Sequence, residues 1–250
     1  MYKKHPNFKS PANENAKIWR YMDFTKFTDM LDRSALYFVR VDKLQKDDPF
    51  EGSYPKINID LIEAGRGIIP KEKLISFSGF IKYLRKRVSI NSWHINENES
   101  AAMWKLYLKS NEGIAILSTF KRLKKSFTDE NSLIFIGKVK YINYDKDSIK
   151  DTNIFSLFLH KRKSLEHERE LRAVLVRRKQ TEKKGTAIDI SRVLSEHELY
   201  VPTDLNMLIE DIYLAPGCPK WMSELVTSVT HRYRLDKRII PSNLDASPLF

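Results

Sequence analysis

The chain has 250 residues, of which 42% are hydrophobic and 30% charged, and this excludes a disordered polypeptide. No apolar run approaches the roughly 20 residues of a membrane span. A formal charge of +12 favours polyanionic company, whether nucleic acid, a nucleotide or an acidic protein, although a lysine-rich solvated surface has the same balance.

Residues 1–15, MYKKHPNFKSPANEN, carry basic residues with no apolar block behind them, so they read as a polar N-terminal arm and not as a secretory signal. With no repeat or low-complexity linker beyond them, residues 16–250 are expected as a single α+β domain. KIWRYM predicts a strand. DFTKFTDMLDRS predicts a helix capped by Asp23, and ALYFVRV a second strand with Leu36, Phe38 and Arg40 on one face. KLQKDDPFEGSYP is turn-rich because Asp-Asp-Pro breaks helix and strand alike. A helix is expected from Pro70 to Arg87, with Leu74, Ser78, Ile81, Leu84 and Val88 as its stripe. VSINSWHI predicts a strand whose end delivers Trp93 and His94 to a loop. The next helix has an Asn96–Glu99 capping box and an inner stripe of Met103, Leu106, Tyr107 and Ser110.

IAILSTF and LIFIGKVKYINY read as strands, and IFSLFLHKRK as a short helix. HKRKSLEHERELRAVLV follows, and KKGT is a turn before AIDI. DIYLAP, PKWMSELVTSVTHRYRL and RIIPS then predict strand, helix and strand, with Trp221, Leu225, Val229 and Tyr233 lining the helix. Strands and helices do not alternate regularly, so a mixed or antiparallel central sheet flanked by helices is expected.

Several chemistries find no motif. There is no Gly-x-x-x-x-Gly-Lys loop, Gly-x-Gly-x-x-Gly, His-Glu-x-x-His or Gly-x-Ser-x-Gly. Scattered histidines give no metal-ligand spacing, so no metal is expected. The single cysteine, Cys218, allows no internal disulfide and suits a reducing cytoplasm.

What remains is arginine, aromatic and glutamate side chains at strand ends. Arg20, between Trp19 and Tyr21, either clamps a phosphate or carboxylate or makes a structural ion pair. Arg40 must pair or reach a pocket rim. Asp48 and Glu51 bracket Pro49-Phe50 and are read as holding that turn to the body by hydrogen bonds. Trp93 offers a ring to stack on and His94 a donor. Trp104 and Tyr107 are read as core. As a strand, EHERELRAVLV puts Glu168, Glu170 and Arg172 on one face, with the two carboxylates about 7 Å apart. Such a pair suits a cationic, oxocarbenium-like transition state; the alternative is an edge ion pair.

IWRYMDFTKFTDMLDRSALYFVRVDKLQKDDPFEG, SAAMWKLYLKSNEGIAI and HERELRAVL, in that order, resemble the bacterial family called domain of unknown function 2971. The resemblance covers roughly Ile18 to Leu175 and is carried by Asp-Pro-Phe-Glu, Met-Trp-x-x-Tyr and Glu-x-Glu-x-Arg. That layout is similar to ADP-ribosyltransferases and implies an ADP-ribosyltransferase-like fold that uses NAD, as a transferase or NAD glycohydrolase. On this resemblance Arg20 or Arg40 would hold the NAD pyrophosphate, and Trp93 or Tyr21 would stack on nicotinamide. Glu170, with Glu168 beside it, would bind the ribose 2′-hydroxyl, while His94 and Arg172 complete the candidate set. It also implies a cytoplasmic toxin or antiviral-defence effector acting on nucleic acid or protein, with an acidic partner such as an antitoxin. Two alternatives stand beside it: a nucleic-acid-binding or nuclease component of a defence system, and a non-catalytic partner-binding sensor.

Overall fold

An aromatic strand, β1 (Lys17–Asp23), opens the regular structure. The Asp23 carboxylate accepts from the Lys26 N–H at 2.8 Å and caps α1 (Phe24–Arg33), which buries Phe27, Met30 and Leu31. Ser34 ends that helix with φ 47°, leading into β2 (Ala35–Arg40) and a single helical turn, α2 (Val41–Leu44). The structure, a computed structural model, describes residues 1–67, 70–108, 110–130, 132–150, 153–177 and 199–248. The KKGT turn and AIDI segment lie outside the described residues.

After the Asp-Pro-Phe-Glu turn come α3 (Lys56–Glu63) and α4 (Leu74–Arg85), the latter led in by a 3₁₀ turn at Lys71–Lys73. The buried face of α4 holds Ile81 and Leu84 with Phe77 against the core, while Ser78 is exposed, so the face is rotated from the expected stripe. Then come β3 (Ser89–Ile95) and α5 (Ala101–Tyr107). Ser100, not an Asn96–Glu99 box, caps α5, accepting from the Met103 N–H at 3.3 Å. Met103 and Trp104 are buried, whereas Leu106 and Tyr107 are exposed, so Tyr107 is not core.

β4 (Gly113–Thr119) and α6 (Phe120–Ser126) follow, then β5 (Ser132–Lys138) and β6 (Lys140–Ile142). A 3₁₀ segment at Ile154–Leu159 leads to β7 (His160–Arg162), and another at Lys163–Glu168 leads to β8 (Glu170–Arg177). The chain closes with β9 (Leu199–Pro202), α7 (Leu205–Leu208), β10 (Asp211–Leu214), α8 (Lys220–Arg232) and β11 (Arg238–Ile240). In α8 the inward residues are Met222, Val226 and Thr230; Trp221, Leu225 and Tyr233 are exposed. Two stripes of four-residue spacing run side by side on this helix, and periodicity alone selects the larger side chains.

This is an α+β fold with mostly antiparallel strand pairing. The chain forms two units. The first draws on Met1–Ser10, Phe38–Asn91 and Glu130–Leu199; the second on Pro11–Tyr37, Ser92–Asp129 and Tyr200–Phe250. In the first unit β5 and β8 pair antiparallel from Ser132↔Arg177 to Lys138↔Leu171, and β6 pairs in parallel with β7. Its core gathers Ile81, Leu84, Phe135, Phe155, Phe158 and Val174. Phe8 joins that core, so the start of the polar arm lies along β5: Lys3 N–H bonds Ile134 O at 2.9 Å and Lys138 N–H bonds Lys9 O at 2.9 Å.

In the second unit β4 pairs antiparallel with β1 and β10, and β10 runs parallel to β11. β1 also meets β3, with Trp19 opposite His94. Trp19, Tyr21, Met103, Trp104, Ala115 and Leu117 form the core of one sheet face beneath α5. Among the described residues no helix is long and apolar enough to cross a membrane.

Candidate functional site

The first unit contains a buried network of charges built from four chain segments. Apolar residues on both sides of β8 hold that strand in the core, so whatever its first residues carry is buried with it. Glu168 is not on the strand, contrary to the sequence reading: it closes the preceding 3₁₀ segment, and Arg169 turns the chain at φ 41° before β8 starts at Glu170. The two carboxylates still converge, because Lys161 of β7 reaches both. Its Nζ donates to Glu168 Oε2 at 2.6 Å and to Glu170 Oε1 at 2.7 Å.

Arg172, two residues along β8 and 1% exposed, points the same way. Its Nε donates to Glu170 Oε2 at 2.5 Å, and its terminal nitrogens grip Glu51 bidentately at 2.6 and 2.8 Å. A further bond to Phe158 O at 2.9 Å completes the guanidinium's partners. Glu51 is in place because the Asp-Pro-Phe-Glu turn folds on itself: Glu51 N–H bonds Asp48 O at 3.0 Å, and Phe50 N–H bonds the Asp48 carboxylate at 3.1 Å. Gly52 ends the turn at φ 65°, where an added Cβ would also crowd Val41 at 3.1 Å and Phe158 at 3.2 Å. Asp48, also buried, forms an ion pair with Arg162 Nε at 2.8 Å, and the Arg162 guanidinium lies over the Phe50 ring. The turn-holding role read for Asp48 and Glu51 is therefore realised through Arg162 and Arg172.

The two carboxylates of the Glu-x-Glu element are driven apart in protonation. Burial raises the Glu168 pKa to about 7, helped by the carboxyl of Glu170 and opposed by Lys161. Burial also works against the charge on Glu170, but Arg172 and Lys161 outweigh it and hold this carboxyl well below the usual glutamate range. Lys161 is likewise buried, yet its two carboxylates raise its pKa above the ordinary lysine value. The Tyr141 hydroxyl accepts from the Glu170 N–H at 2.8 Å, tying β6 to the start of β8.

Of the other residues singled out by sequence, Arg40 lies in this unit and is bound by Asp42 at 2.9 and 2.6 Å. Arg20, Tyr21, Trp93 and His94 belong to the second unit. Arg20 makes no structural ion pair among the described residues. It donates to Ser92 O at 2.7 Å beside Trp93, and burial lowers its pKa to about 10. Trp93 and His94 are not delivered to a loop: both lie within β3 and are buried, so the Trp93 ring is a packing surface. Tyr21 is core too, its hydroxyl accepting from Ser100 N–H at 2.8 Å and its ring edge-on to Trp104. Sequence reasoning missed the bridging role of Lys161. The signal was a lysine in a run of basic residues just ahead of two acids, and such runs are usually solvated. Among the described residues no cluster of His, Cys, Asp and Glu could hold a metal ion. No family model, curated protein or solved structure matches the chain.

Proposed function

We propose that the chain is an NAD-consuming, ADP-ribosyltransferase-like enzyme in which Glu168 is the proton-handling carboxyl and Glu170 is its fixed, ionised companion. The observation that carries this reading is the geometry at the start of β8: Lys161 bridges Glu168 and Glu170 at 2.6 and 2.7 Å, Arg172 takes the second Glu170 oxygen, and these cations hold Glu170 low while burial raises Glu168. Pairs of titratable groups with pKa values forced apart are the signature of acid–base assignment. The motif resemblance to ADP-ribosyltransferases supports the same substrate class.

In this chemistry the bond from ribose to nicotinamide breaks, nicotinamide leaves with the electron pair, and a cation remains on the sugar. A nucleophile, water or a target group, then bonds to that carbon and gives its proton to the Glu168 carboxylate. Glu170 has both oxygens engaged by Lys161 and Arg172. Its part is to position Lys161 and Glu168, so it is a positioning residue.

The test is nicotinamide release from NAD by the purified full chain between pH 5.5 and 8.5. The expected result is a rate that rises with an inflection near 7 and disappears in Glu168→Gln, with the fold retained. A folded wild-type chain that leaves NAD intact, alone and with RNA, DNA or protein added, refutes the proposal.

A further inference from the structure

The second unit carries a groove of about 850 Å³ whose walls come from the end of the polar arm, the start of β1, β4, α6, α7 and the segment before β11. Its charge is unbalanced. Lys17, Lys121, Arg122, Lys125 and Lys237 line it against only Asp204 and Glu210. Both acids are already engaged. Glu210 pairs with Arg122 at 3.3 Å, and the Asp204 carboxylate accepts from the Met207 N–H at 2.9 Å as the cap of α7. Arg122 and Lys237 are tied to the wall as well, donating to Met207 O and Asn206 O, each at 2.9 Å.

Three lysines are left over. Lys121 and Lys125 make no carboxylate ion pair among the described residues, and Lys17 holds Glu97 loosely, at 4.0 Å from its carboxylate and 3.4 Å from its carbonyl. Lys121 and Lys125 stand four residues apart on α6, so their side chains share one side while Phe120 and Leu123 anchor the other in the core. The nearby Glu14 is ion-paired with Lys124, while Lys121 and Lys125 feel its charge without pairing with it. The helix N-terminus plays no part. The Phe120 and Lys121 N–H groups bond Ala16 O and Glu14 O, and the Arg122 N–H bonds Thr119 Oγ1.

We propose that this groove binds the phosphodiester backbone of nucleic acid. Cationic side chains outnumber acidic ones five to two on these walls, so entering phosphates relieve their repulsion, and Asn15, Asn206 and Thr119 supply neutral hydrogen-bonding groups. No aromatic side chain lines the groove, so it offers no stacking platform for bases. Binding is therefore set by phosphates and is indifferent to base sequence. This inference is independent of the NAD reading, since it rests on other residues in the other unit.

The experiment is fluorescence anisotropy of the full chain with a labelled 20-base-pair DNA duplex and a 20-nucleotide RNA, from 50 to 200 mM KCl. Three lysines give a slope of log affinity on log salt of about −3, or roughly a 50-fold loss across that range. Lys121→Gln/Lys125→Gln should reduce the slope by about 2, and shuffling the base sequence should leave the affinity unchanged. Lys71→Gln/Lys73→Gln, at exposed positions of the first unit, is the charge-matched control and should leave the slope nearly intact. An equal effect from the control pair, or binding that ignores salt, overturns the groove. Preferential binding of polyglutamate or of phosphatidylserine vesicles at equal charge concentration overturns the choice of nucleic acid.

Discussion

Replacing Arg172 by methionine tests whether the buried network holds the first unit together. The side chain is 1% exposed and makes two bonds to Glu51, one to Glu170 and one to Phe158 O. Methionine fills much of the volume but leaves Glu51, itself 2% exposed, as a buried carboxylate without its cation. Removing one partner of a buried pair costs about 3–5 kcal/mol, because the remaining charge keeps its desolvation penalty. For a chain of this size that is a fall in melting temperature of about 10 °C. Urea unfolding followed by circular dichroism at pH 8 measures the loss. Adding Glu51→Gln removes the stranded charge, so the double variant should recover about 1–3 kcal/mol relative to the sum of the singles. An Arg172→Met chain within 1 kcal/mol of wild type, or strictly additive variants, would show that the network is a bystander.

The remaining predictions concern the pH dependence and the local contacts. Glu168 keeps its proton to about pH 7 in the folded chain but only to the ordinary glutamate value near 4.5 when unfolded, so its contribution is complete below 4.5 and is lost as pH rises through 7. Glu170 has the opposite sign, contributing above the unfolded value and failing only in acid, so the two windows do not overlap. Urea titrations at pH 5 and pH 7.5 should show wild type losing stability relative to Glu168→Gln, and parallel behaviour would exclude the proton assignment. A methyl group at Gly137 would stand 2.9 Å from the Phe8 Cα, so Gly137→Ala should displace residues 1–9 from β5, seen as trypsin cleavage at Lys3, Lys4 and Lys9. Asp23→Ala removes the cap of α1 and should cost about 1 kcal/mol by urea unfolding; an unchanged midpoint would mean that tertiary packing alone holds that end.

Local signals were legible in the sequence. Asp23 ahead of an amphipathic run located α1, and apolar runs bounded by polar residues located β1, β5 and β8, because capping and strand composition depend on neighbours in sequence. The pairing of Glu170 with Arg172 was legible for the same reason. The place of Glu168 was not, since it depends on Arg169 adopting φ 41° after a 3₁₀ segment, and arginine carries no mark of a left-handed turn. Trp93 and His94 were misplaced because an aromatic pair before Asn and Glu looks the same whether it ends a strand or lies within it. The choice of face on α8 required knowing what packs against it.

The network also limits what each acid can do. A carboxylate that stabilises a cationic sugar must have its charge available, and Glu170 spends its charge on Lys161 and Arg172. Glu168 shares Lys161 with it and also hydrogen-bonds Glu170, and burial raises its pKa to about 7. On the proposed reading Glu170, held low by Arg172 and Lys161, is the anchor, and Glu168 beside it is the group that carries the proton. Arg172 links this pair to the Asp-Pro-Phe-Glu turn through Glu51, so a change at that turn reaches Glu170, and through Lys161 Glu168, without touching either. That coupling explains in physical terms why sequence elements more than a hundred residues apart belong to one arrangement.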